Sequence, residues 1–230
     1  MPSRCIVSCC YSEGRGQYYA EFADRMEASL DCWAPGIDRI IFRDGWPPGS
    51  PSHSEHHYAF KYFAVAEALR RGYRQILWLD AGSQALAPLD AAWVALDREG
   101  VLLVAGADTL GHWISDDALA HFGMTRDWAM GVRLSGGCFV GVDLDSPKGA
   151  EFFLEWGRLA THTRLFVCTT SREAELKRVM RSVPQSTTPA SLDPRVQGHR
   201  SDEACFSVMA SKMGVQLMPY GEWARMLKTY

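Results

Sequence analysis

The sequence predicts an α/β fold, a single domain on a mostly parallel central sheet with helices on both faces. Three observations carry that reading. Short apolar runs alternate with stretches of helical periodicity along most of the chain. The segment Gln75-Ile76-Leu77-Trp78-Leu79 is a near-continuous apolar run, as a central strand covered on both faces requires. Finally, 230 residues that are 47% hydrophobic and 22% charged suffice to bury one substantial core.

Each element follows from its own pattern. Arg4 to Cys10 is β-prone and opens the sheet, and Ser12 to Gly16 reads as a loop. From Gln17 to Leu30 the residues Tyr18, Tyr19, Phe22, Met26 and Leu30 recur at helical spacing. Arg39 to Phe42 is a second strand. Asp44 to His57 is rich in Pro, Gly, Ser and His, which predicts a long loop. Tyr58 to Arg71 returns to helix, with Phe60, Phe63, Ala64, Ala68 and Leu69 inward and Gly72 as the stop. After the strand Gln75 to Leu79, a helical turn follows Pro88. Val101 to Ala105 and Cys138 to Val142 supply two more strands, and Pro147 to about Leu159 a helix. Arg172 to Arg181 reads as a charged helix and Ser182 to Gly198, with three prolines, as a long loop. Asp202 to Met213 is the last helix, with Val215 to Leu217 as an edge strand.

Composition narrows the function classes. No stretch approaches the roughly 20 apolar residues of a membrane span. The N-terminus leads into a strand without a signal peptide, and seven scattered cysteines suit reduced thiols, so a cytoplasmic protein is expected. A net charge of −3 argues against a surface that grips nucleic acid throughout. No G-x-x-x-x-G-K-[ST], no G-x-G-x-x-G after a strand and no G-x-S-x-G occurs, which weakens kinase, GTPase, dinucleotide oxidoreductase and α/β-hydrolase readings.

In open α/β sheets ligands bind at the carboxyl ends of strands, which singles out Ser8 to Tyr11 and Asp80-Ala81-Gly82-Ser83. A carboxylate directly after an apolar strand can hold a divalent cation or hydrogen-bond a ribose or sugar hydroxyl. It can also simply cap a turn. The cluster His53-Ser54-Glu55-His56-His57 does not match H-E-x-x-H and reads as a polar loop.

The segment Phe60 to Leu69, followed by Gly72 to Ala81, resembles the GT-A glycosyltransferases, in which a Lys-bearing helix precedes a strand ending in D-x-D. Ser135-Gly136-Gly137-Cys138-Phe139-Val140 is similar to that family's glycine-containing strand beside the sugar and acceptor. His199 to Phe206 is similar to its late helix start, and Ser8 to Tyr11 to its nucleotide-contacting first strand end. Together these pieces cover most of residues 4 to 217 in the family's order. The resemblance implies a nucleotide-diphospho-sugar transferase, with residues 1–110 mainly on the donor side and 130–217 mainly on the acceptor side. It assigns donor contacts to Ser8, Tyr11, Lys61, Asp80, Ala81, Gly82, Gly136 and Gly137, and to Asp202 either the acceptor base or a hold on the donor sugar, with Glu203 the weaker base candidate.

Each assignment has a plainer counterpart: a solvated Lys61, an N-cap Asp202, a bulge at Gly136 and Gly137. The motif here is Asp80-Ala81-Gly82, without the second carboxylate. That leaves Asp80 either holding Mn²⁺ or Mg²⁺ with help from His199, or binding the donor sugar or ribose without a metal. The resemblance implies a hydroxyl acceptor, with a glycan or a modified nucleobase in DNA as the candidates. From Arg164 to Arg200, seven basic residues (164, 172, 177, 178, 181, 195, 200) against three acidic ones (173, 175, 193) suit an anionic acceptor, or a solvated helix with a Glu173–Lys177 pair. A nucleotidyltransferase and a nucleotide-sugar-binding module with a decayed motif are the alternatives. No short motif encodes the donor, the acceptor or the stereochemical course.

Overall fold

The computed structural model describes residues 3–11, 16–161, 165–166 and 190–229. The expected loop from Ser12, the charged helix Arg172 to Arg181 and the first part of the loop from Ser182 lie outside the described residues. The described chain begins β1 (Arg4–Cys9), α1 (Gly16–Trp33), β2 (Asp38–Phe42), α2 (Ala59–Arg70), β3 (Gln75–Leu79), β4 (Ser83–Ala85) and α3 (Asp90–Glu99). It continues through β5 (Val101–Thr109), a 3₁₀ turn (Leu110–His112), α4 (Asp116–Phe122), α5 (Arg126–Met130), β6 (Arg133–Asp143) and α6 (Pro147–Ala160). The last elements are α7 (Ser201–Met213), α8 (Tyr220–Met226) and β7 (Leu227–Thr229).

Five strands form one sheet in the order β2-β1-β3-β6-β5. β1 pairs in parallel with both β2 and β3, placing Ile6 between Arg39 and Leu77. β6 runs antiparallel to β3 and to β5, so β5 points the same way as β3 and the sheet is mostly parallel, as expected. The period of two then sorts side chains between the faces. Cys5, Val7, Cys9, Ile76, Trp78 and Val140 pack with residues of α2, α6 and α7. Ile6, Leu77, Leu79 and Phe139 pack with residues of α1, α3 and α8. Central strands covered on both faces have no polar side to show, which is why β3 is apolar nearly throughout.

Local patterns missed some elements. Ser115 accepts a hydrogen bond from the Ala118 N–H and Thr125 from the Trp128 N–H, so α4 and α5 carry N-cap residues without a long periodic run behind them. Val215 to Leu217 is not a strand. Met218 alone bridges to Val104, its N–H donating to Leu103 O at 2.8 Å. β4 and β7 pair antiparallel, with Ser83 opposite Thr229, and so hold the chain just beyond Asp80. Among the described residues, no helix is long and apolar enough to cross a membrane.

The face carrying α2 and α7 has an aromatic centre. Phe206 on α7 is fully buried, with its ring 5.0 Å from Trp156 and 5.7 Å from Phe152. Phe206→Ala is expected to cost about 3–5 kcal/mol through lost burial and the cavity left behind. Urea unfolding monitored by circular dichroism checks this; a loss under about 1 kcal/mol would mean that α7 is anchored elsewhere.

Candidate active site

Because Ile76 and Trp78 face α2, the next residue of that parity, Asp80, emerges on the same side just past the strand. Trp78 Nε1 donates to Asp80 Oδ1 at 2.8 Å, and the Asp80 N–H donates to Cys138 O at 3.0 Å. The Ser83 N–H donates back to Asp80 O at 2.8 Å, closing a turn that holds the partly exposed Ala81 and Gly82. The Asp80 side chain keeps 33% of its surface exposed.

Lys61, in the first turn of α2, points inward and is 2% exposed, so it is not a solvated helix-start lysine. Its Nζ donates to Gly137 O at 2.8 Å and lies 2.8 Å from Asp202 Oδ2 and 3.1 Å from Asp80 Oδ1. One hydrogen bond to a carbonyl and two ion pairs thus surround the ammonium, the pairing that keeps such a charge buried. Burial alone would lower its pKa, but Asp202 and Asp80 outweigh burial and hold it above the usual lysine range. The ammonium also sits 4.8 Å from the centre of the Tyr58 ring.

Asp202 belongs to the first turn of α7 and is 3% exposed. It does not cap the helix, since the N-cap position is Arg200. Burial, with Glu203 and Asp80 adding to it, pushes its carboxyl up to about 6 against the pull of Lys61. Gly137 closes the arrangement: its carbonyl accepts the hydrogen bond from Lys61 and its N–H donates to Glu203 Oε1 at 3.3 Å. A Cβ on Gly137 would stand 2.6 Å from Asp202 Oδ2, whereas one on Gly136 would meet nothing nearer than 3.8 Å. Only Gly137 is demanded by close approach; Gly136 pairs with Val104 in the sheet. Glu203 Oε2 accepts from Arg200 at 3.1 Å, and the Arg200 guanidinium lies 4.3 Å from the Trp113 ring centre.

Two non-glycine residues among those described have positive φ: Tyr58 at 57° and Ser201 at 27°. They stand at the starts of the two helices that deliver Lys61 and Asp202. Strain of this kind persists where the surroundings over-determine a conformation, commonly at functional sites.

No family model matches the chain, and no curated protein matches it. Among solved structures it is similar to a glycosyltransferase involved in the glycosylation of the major capsid of PBCV-1, at 12% identity over 70% of this chain with a TM-score of 0.41. That match spans 66% of the other protein, just under two thirds of its length. Mouse xyloside xylosyltransferase 1 aligns at 8% identity over 95% of this chain and 84% of its own, with a TM-score of 0.43. The galactosyltransferase LgtC, solved with donor and acceptor sugar analogs, aligns at 12% identity over 96% of this chain and 99% of its own, with a TM-score of 0.37.

The remaining site residues fall outside the Lys61 cluster to different degrees. Ser8 is fully buried, its hydroxyl 3.7 Å from Cys10 Sγ. Tyr11 packs edge-on against Trp46 at 5.2 Å, Trp46 lies 5.2 Å from Phe60, and Phe60 lies 5.8 Å from Trp78. This aromatic chain joins the end of β1 to the indole that holds Asp80. The histidine loop is not polar in the expected sense, since His56 and His57 are buried. Burial first, and a neighbouring histidine second, push His53 and His57 down to about 4, so both are neutral at pH 7. Of the basic residues from Arg164 to Arg200, Arg195 pairs with Asp127 and Asp193 and Arg200 with Glu203. The other five, Lys177 among them, lie outside the described residues, as does Glu173.

His199, expected as a possible cation ligand, is buried. The Ser115 N–H donates to its Nδ1 at 3.2 Å and its Nε2 stands 2.7 Å from Leu165 O, so both ring nitrogens are engaged inside the protein. Asp80 Oδ1 is shared between Trp78 and Lys61, Gly82 offers no carboxylate, and Asp202 Oδ2 is paired with the ammonium. Among the described residues, no group of three His, Cys, Asp or Glu side chains could hold a metal.

Proposed function

We propose that this chain is a glycosyltransferase that moves a sugar from a nucleotide-diphosphate donor to an acceptor hydroxyl. The observation carrying the reading is the Lys61 clamp: one buried ammonium joins the carboxylate at the end of β3, the backbone of Gly137 on β6 and the carboxylate at the start of α7. Three long-separated segments are thereby held at the open end of a mostly parallel sheet, where ligands of such sheets bind. Sugar transfer gains from positioning of donor and acceptor and from fixed charge at the developing leaving group.

In this reading the partly exposed Asp80 accepts a hydroxyl of the donor's ribose or sugar. Asp202, buried and paired, holds the donor sugar in place. Glu203, whose side chain is 25% exposed beside Gly137, is the more accessible carboxylate for the acceptor hydroxyl. The aromatic chain from Tyr11 to Trp78 supplies an apolar wall on the donor side.

The test is a thermal-shift screen of the protein against UDP-, GDP-, CDP- and TDP-sugars, followed by assay of nucleoside diphosphate release. A ligand that binds only the folded state raises the melting temperature by mass action. A rise with one nucleotide family, with release of that nucleoside diphosphate, is the expected result, and Asp202→Asn should abolish release while the protein still folds. No rise with any donor would sink the proposal. A rise without release would select a binding module instead.

A further inference from the structure

We infer that the site holds its donor without a divalent cation, and that the ammonium of Lys61 already occupies the strand-end carboxylate such an ion would use. Mg²⁺ and Mn²⁺ are bound through hard oxygen ligands, and proteins that leave several positions to phosphate and water still supply one or two carboxylates free to coordinate. Here the carboxylate at the strand end has Oδ1 bonded by Trp78 Nε1 at 2.8 Å and stands 3.1 Å from Lys61 Nζ. A divalent ion on that carboxylate would lie within a few ångströms of a buried positive charge that cannot move away, because Gly137 O and Asp202 Oδ2 hold it from the other sides. The position two residues on, which could supply a second carboxylate, is Gly82. His199, the other expected ligand, spends both nitrogens on Ser115 and Leu165.

Lys61 thus engages Asp80 Oδ1 and Asp202 Oδ2 from within, and without a cation the charge of the donor's diphosphate is met by side chains. Arg200 is suited to that task. It stands at the N-cap of α7, 45% exposed over Trp113, with NH1 donating to Glu203, which itself contacts Gly137. A guanidinium binds phosphate through paired N–H donors without any metal.

The donor part of this inference rests on the transferase reading, but the cation part can be tested without it. MnCl₂ is titrated into the intact protein by calorimetry, and the nucleotide-sugar screen is repeated in EDTA and in Mn²⁺. The expected results are no saturable Mn²⁺ binding at millimolar concentration and a donor-induced rise in melting temperature of the same size in EDTA as in Mn²⁺. Arg200→Met should weaken the donor about tenfold, the effect of one charge-assisted contact. Saturable Mn²⁺ binding by the unaltered protein that disappears in Asp80→Asn would overturn the inference, as would a donor shift seen only with Mn²⁺. Failure of every donor to bind would instead count against the transferase reading, with the Mn²⁺ titration still deciding the cation question.

Discussion

Replacing Lys61 by Met is expected to lower stability by about 3–5 kcal/mol, the cost of breaking a buried ion pair from one side, and to lower transfer by at least ~100-fold through misplacement of the groups it holds. The size follows from what is left behind. Without the ammonium, Asp202 at 3% exposure has no counter-charge, Asp80 and Asp202 face each other as like charges, and Gly137 O loses its donor. The loss should also depend on pH. Burial already raises the Asp202 carboxyl to about 6, and Lys61 is the main influence lowering it, so in the variant it rises further. A carboxyl whose folded pKa exceeds its unfolded value stabilises the fold only while protonated, and this contribution fades as pH rises from the unfolded towards the folded pKa. The variant should therefore lie closer to the unaltered protein at pH 5 than at pH 8, by urea denaturation at each. The double variant Lys61→Met/Asp202→Asn should recover part of the lost stability, because removing the stranded charge removes its penalty. Equal losses at both pH values, with additive single effects, would show that Lys61 acts by packing rather than by charge.

Gly137→Ala is the second large effect. The added methyl would stand 2.6 Å from Asp202 Oδ2 and 3.2 Å from Cγ of both Asp202 and Glu203. Something must shift, and what lies there is the start of α7 and both of its carboxylates. Overpacking of this kind typically costs about 1–3 kcal/mol, yet a displacement near 1 Å at a catalytic group can cost on the order of 100-fold in rate. Transfer should therefore fall far more than stability. Gly136→Ala is the control: its Cβ would meet Cys138 Sγ and Val104 O at an ordinary 3.8 Å. Near-normal turnover in Gly136→Ala beside a loss of about 100-fold in Gly137→Ala is the expected pair of results. Equal turnover in the two variants would mean that the start of α7 is not part of the reacting centre.

Much of the fold could be read locally. β1, β2 and β3, the helices α1, α2 and α6 and most of α7 follow from runs and periods within about a dozen residues, since burial of a strand on both faces or a helix on one is written in consecutive side chains. Asp80 was visible for the same reason, as a carboxylate placed directly after the apolar run of β3. The short β4 and β7 were not visible, because three-residue strands carry no period and exist only through their mutual pairing. The direction of β6 was equally hidden, since an apolar run does not record which neighbour it will meet.

The site divides along the same line. The residue types at Lys61, Asp80, Gly137 and Asp202 were legible, because their local settings and resemblance marked them. Sequence could not tell Gly136 from Gly137, nor a solvated lysine from a buried one, nor a free His199 from one bonded on both sides. Those distinctions depend on which helix face meets which strand, and the Lys61–Gly137 and Lys61–Asp202 contacts join segments far apart in the chain. By itself the sequence determined a layered α/β sheet with a carboxylate at its open end. Only the tertiary structure decided that this carboxylate is met by a buried ammonium, because the charge of a side chain is local but its partner is chosen by packing.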